Sequence, residues 1–73
     1  MKTIQEAKRE LEQRIILMPE VVGIGVISWS NETFIEVSAR NEAGKETIAK
    51  LIPSGNWEGY PVRIKVREQT TLL

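Results

Sequence analysis

The chain predicts an α+β fold, a two-layer αββαβ sandwich in which a three-stranded sheet of order 2-1-3 carries two helices on one face. Three patterns carry that expectation: a helical stripe before Pro19, two period-two runs joined by a short polar turn, and a later alternating strand preceded by a short helical segment. With 73 residues the whole chain, residues 1–73, makes a single domain. A domain this small buries only about 60% of its unfolded surface, which leaves room for one modest core.

In "TIQEAKRELEQRIILMPE" the residues Ile4, Ala7, Leu11, Ile15 and Met18 recur at spacings of three and four, the stripe of a helix over residues 3–17. Thr3 with Glu6 has the spacing of a capping box. Pro19 lacks a backbone N–H and disfavours helix in the residue before it, so the helix stops near Leu17. Strands follow over residues 21–30 and 33–40. With Asn31 and Glu32 as the turn, Trp29 pairs with Phe34 and Gly25 with Ser38. One face then collects Ile24, Val26, Ile35, Val37 and Ala39; the other collects Gly23, Gly25, Ile27, Trp29, Phe34, Glu36, Ser38 and Arg40. A second helix spans residues 45–51, with Ile48, Leu51 and Ile52 inward, a weak start at Gly44 and a stop at Pro53. "SGNWEGYP" reads as a loop clamped by Trp57 and Tyr60. The third strand, residues 61–68, points Val62, Ile64 and Val66 inward and Arg63, Lys65 and Arg67 outward, and the chain frays from about Gln69. A right-handed crossover places the first strand in the middle of the sheet.

Composition excludes several functions. The chain has no Cys, His or Asp, which removes disulfides, thiolate metal sites, His-containing triads and Asp-rich magnesium sites. The expectation is therefore no catalytic residues, no metal and no cofactor. The serines at 28, 30, 38 and 54 have no His to activate them, and the spacing of Glu32, Glu36 and Glu58 puts no two of them in one enclosed site. Ten basic residues balance ten Glu, unlike the basic excess of a dedicated nucleic-acid binder. The charged N-terminus is no signal peptide, and no apolar run approaches the roughly 18 residues of a membrane span. The expected setting is the cytoplasm, with no membrane partner.

"LMPEVVGIGVISW" followed by "FIEVSA", "LIP" and "EGYPVRIKV" resembles a small bacterial module with a Pro-x-Val-Val-Gly-x-Gly-Val pattern and a later Gly-Tyr-Pro-Val. Such modules occur in bacterial proteins, cyanobacterial ones included, and ahead of trypsin-like serine protease domains. The resemblance spans about Leu17 to Val66 and implies an accessory or interaction module. The fused forms continue into a protease domain, so a role toward a protease is expected to act in trans.

The open sheet face is the candidate site. Ile27, Trp29 and Phe34 lie there with Arg40, Arg63, Lys65 and Arg67, and both aromatic rings are expected to be exposed. Gly23 and Gly25 mark either a bulge or a place where another backbone approaches. "GIG" lacks the third glycine and following helix of a phosphate loop. Residues of this kind suit a protein hot spot, including self-association through the face or the edge strands. The alternative is a small single-stranded nucleic-acid-binding domain that stacks bases on Trp29 and Phe34 beside the basic third strand. A second alternative is an idealised scaffold without function, which the clean binary pattern permits and the glycines and long loop oppose.

Overall fold

A computed structural model describes residues 2–67. The elements run α1 (Ile4–Ile15), β1 (Val21–Trp29), β2 (Glu32–Ala39), α2 (Glu42–Leu51), β3 (Asn56–Trp57) and β4 (Tyr60–Val66). The sheet is mixed, has four strands and is ordered β1-β2-β4-β3. The expected three-stranded order with the first strand central is therefore wrong. β2 is central: it pairs antiparallel with β1 and parallel with β4. An order with β1 in the middle would make the crossover through α2 step over an intervening strand, whereas the observed one joins direct neighbours. The two glycines also make β1 the poorer candidate for the middle.

At the start of α1 the capping box forms: Thr3 Oγ1 accepts the Glu6 N–H at 3.2 Å, and the Glu6 carboxylate accepts the Thr3 N–H at 3.4 Å. The helix ends at Ile15, two residues before the expected stop, because the N–H of Met18 already turns back to the Ile15 carbonyl. α2 starts earlier than expected, capped by Asn41 Oδ1, which accepts the Gly44 N–H at 2.8 Å.

Ala7, Leu11 and Ile15 of α1, Ile35, Val37 and Ala39 of β2, Ile48 of α2 and the following Ile52 form one buried cluster. Ile24, Val62 and Ile64 pack against it from the neighbouring strands. Both helices thus share the same face of the sheet. Leu51, expected inward, is 53% exposed. Ile48 and Ile52, one turn apart, supply the inner face, and Leu51 falls at the rim of a cavity of about 300 Å³ bounded by Leu11, Arg14, Ile15, Ile52 and Trp57.

The turn of the first hairpin is Ser30–Asn31, not Asn31–Glu32. Both have positive φ, 51° and 66°, as a type I′ turn requires. Moving the turn by one residue shifts the register by two, so Trp29 lies opposite Glu32 and Ile27 opposite Phe34. Each side chain keeps its face. A bulge falls between Val21 and Gly23, after which Gly23 pairs with Ser38.

The expected loop contains β3, a two-residue strand that pairs Trp57 with Tyr60. Its turn is Glu58–Gly59, with φ of 52° and 84°. Trp57 and Tyr60 do clamp this segment to the core: Arg14 lies over the Trp57 ring at 5.5 Å, and the Tyr60 hydroxyl donates to the Lys2 carbonyl. Lys2 also bonds Glu10 and faces Glu58 at 3.7 Å; the bond to Glu10 holds its ammonium pKa above the ordinary value. The expected fraying from Gln69 lies outside the described residues.

Gly44 has a steric reason to be glycine. A Cβ there would lie 3.0 Å from Glu20 Cβ and 3.3 Å from the capping oxygen of Asn41. Gly44→Ala is expected to lower stability by about 1 kcal/mol in urea unfolding, opposite to the gain alanine brings to an unencumbered helix position.

Candidate functional site

Alternation along each strand sends one set of side chains to the helices and the other to the open face. On that face β1 contributes Gly23, Gly25, Ile27 and Trp29; β2 contributes Glu32, Phe34, Glu36 and Ser38, with Arg40 just beyond; and β4 contributes Arg63 and Lys65, with Arg67 just beyond. Every residue expected on the face is there. They do not form one patch. Trp29, Phe34 and Arg63 gather at the hairpin end, while Lys65, Arg67 and Arg40 gather at the other, and the eight steps from Glu32 to Arg40 span about 26 Å.

At the hairpin end the two aromatic rings differ. Trp29 is 75% exposed, but Phe34 is only 7% exposed, contrary to the expectation for an open face. The guanidinium of Arg63 lies 4.3 Å from the centre of the Phe34 ring, and its Nη2 donates to Glu32 Oε2 at 2.9 Å. Arg63 thus crosses over Phe34 and is held at its far end by a carboxylate, with Ile27 opposite Phe34 on the other side. This arrangement exists only because β4 neighbours β2. The sequence reading missed Glu32 as a partner for Arg63: 31 residues separate the two, and no local pattern links them. Glu32, Thr33, Phe34, Pro61 and Arg63 also outline a shallow cavity of about 240 Å³.

Between the two ends β1 presents bare backbone, beside Glu36 and Ser38 of β2. A Cβ built on Gly23 or on Gly25 would meet nothing within 4 Å, and neither residue has the positive φ that excludes side chains. Only Gly23 touches the bulge; Gly25 lies in regular strand. Neither glycine is explained by backbone strain or by crowding within the chain.

At the far end Lys65, Arg67 and Arg40 make no ion pair among the described residues. The Arg40 N–H donates to the Glu20 carbonyl at 2.8 Å, and the Arg67 N–H to the Ala39 carbonyl at 2.8 Å, so both backbones are fixed while the cationic groups face solvent. Glu32 and Glu58 are engaged with Arg63 and Lys2 respectively. Among the described residues no three potential metal-ligating side chains come together, and no helix is long and apolar enough to cross a membrane.

The two sheet edges are unlike. β1, "VVGIGVISW", is an edge strand of nine residues without a charge. On the opposite side β3 covers only the start of β4, and Arg63, Lys65 and Arg67 alternate along the remainder. No family model matches the chain, and no curated protein or solved structure matches it either. A functional reading therefore rests on this geometry.

Two outcomes follow. Gly25→Ala should leave stability unchanged or raise it by up to about 1 kcal/mol, since strand backbone gains from the added Cβ. Arg63→Ala should cost about 1 kcal/mol, combining a cation–π contact with an exposed ion pair. Added salt should reduce only the share that Glu32→Gln also removes, as a double-mutant cycle in urea would show.

Proposed function

We propose that the chain is a non-enzymatic protein-interaction module of the bacterial cytoplasm that binds through the β1 side of its open sheet face. The observation that carries this reading is Trp29. It is three-quarters exposed at the hairpin end of a charge-free edge strand whose Gly25 and Gly23, four and six residues back on the same face, carry no side chain. A large aromatic left in water on an uncharged, unpaired strand is what an interface anchor needs before its partner arrives. The resemblance to modules found ahead of trypsin-like protease domains adds an accessory role beside a larger protein.

A single-stranded nucleic-acid function is supported less well. A stacking platform needs several accessible rings, yet Phe34 lies beneath Arg63, and Arg63 is paired with Glu32. Trp29 would have to stack alone, at the end of the face away from Lys65 and Arg67.

The test compares the two tryptophans. Trp29→Ser should change stability by at most about 1 kcal/mol and abolish association with the partner. Trp57→Ala should cost about 2–3 kcal/mol in urea unfolding because it opens the clamp over the core. If Trp29→Ser unfolds the chain and leaves every association intact, the ring serves folding and the reading is wrong. Binding of a single-stranded oligonucleotide that falls steeply with salt would favour the nucleic-acid alternative instead.

A further inference from the structure

Resting on the interaction-module reading, and naming the partner for it, we infer that β1 pairs antiparallel with β1 of a second copy of this chain, joining two sheets into one of eight strands. Three independent features of β1 converge on this occupant.

The first is the state of the edge. Natural edge strands are blunted by shortness, charge, proline or a cover. β1 is long, uncharged and free of proline, and its only bulge is at its start. Among the described residues no element lies along its outer side. Of the five large apolar side chains left exposed among those residues, Val22 and Trp29 lie on β1, and Ile16 and Leu17 lie in the turn that feeds it. Among the described residues, four of the five exposed large apolar side chains thus lie on β1 or in the turn before it.

The second is hydrogen-bond parity. A two-residue turn makes Trp29 and Glu32 the closing hydrogen-bonded pair of the hairpin. Strict alternation from there directs the N–H and C=O groups of Ile27 and Gly25 at β2. Those of Ser28, Val26 and Ile24 point outward. An antiparallel partner must offer outward groups at the same alternate positions, and a second β1 does.

The third is shape. With a two-fold axis at Val26, Val26 faces its own copy, Ile24 faces Ser28, Gly25 faces Ile27 and Gly23 faces Trp29. The two large side chains of the open face then lie against the two residues that have none. Each copy supplies the rings and branches that fill the other's vacant Cβ space. The interface is self-complementary, as an isologous contact requires. β4 offers no equivalent, because pairing two copies there would set Arg63, Lys65 and Arg67 against themselves.

Sedimentation velocity of the full chain should show a dimer at about 100 μM. Gly25→Lys fits the free monomer but puts a charge of the same sign on both copies of the paired edge, the device by which natural edges oppose strand addition. Ser28→Pro removes an outward N–H and leaves the hairpin ladder intact. Each should raise the dimer dissociation constant at least about tenfold, with circular dichroism reporting a folded chain. The register is read by adding one thiol to a chain that has none. Val26→Cys should form an intermolecular disulfide under mild oxidation, since facing Cα atoms lie about 5.5 Å apart. Ile24→Cys, about 14 Å from its own copy, should not. A dimer that ignores Gly25→Lys and Ser28→Pro, or that crosslinks through Ile24→Cys instead, overturns the inference. A monomeric chain also overturns it: if Trp29-dependent capture of a different protein persists, only self-pairing is lost, and if capture is absent too, the interaction-module reading falls with it.

Discussion

The double pairing of β2 is the constraint on which the other elements depend. β2 is hydrogen-bonded on both sides, and its Ile35, Val37 and Ala39 are inaccessible to solvent beneath both helices. Each of the larger two stabilises the fold by about 1.5–3 kcal/mol through burial alone. α1 and α2 have no other common surface of that size to pack on. Once β2 is central, β1 has to be an edge and α2 has to cross to β4.

The same constraint separates what was legible in the sequence from what was not. Periodicity reports which way a side chain points, and those readings held: the stripe Ala7, Leu11, Ile15, the two hairpin faces, and the alternation from Val62 to Arg67. It carries no information on which strands are neighbours. The two-residue shift of the hairpin went undetected because a slip of two preserves both faces. The position of the turn was not legible either, since Asn31, which tolerates positive φ, is central in both Ser30–Asn31 and Asn31–Glu32. By contrast, Glu58–Gly59 between Trp57 and Tyr60 was a hairpin signal read as a loop.

Errors at the site descend from the error in strand order. With β1 central, Phe34 would sit on an outer strand with no neighbour on its outer side. With β2 central, Arg63 lies next to Phe34 and covers it, so one misplaced strand accounts for both the expected exposure of Phe34 and the expected freedom of Arg63. The glycines acquire a different meaning by the same route. In a central strand they would thin the sheet, whereas at an edge they leave a vacancy that none of the described residues fills. The seven candidate side chains resolve into a hairpin end dominated by one exposed ring and a distant cationic corner.

The inequality of the two edges bears on polymerisation. A sheet that is equally receptive on both sides can add copies without limit and grow into a fibre. Here one margin is bare and the other is studded with Arg63, Lys65 and Arg67, so the pairing inferred above gives each molecule a valence of one for strand addition. Occupation of β1 exhausts it. Under that pairing, cations on a strand far from the vacant edge act as a chain terminator, and an uncharged, valine-rich segment stays exposed without seeding open-ended aggregation.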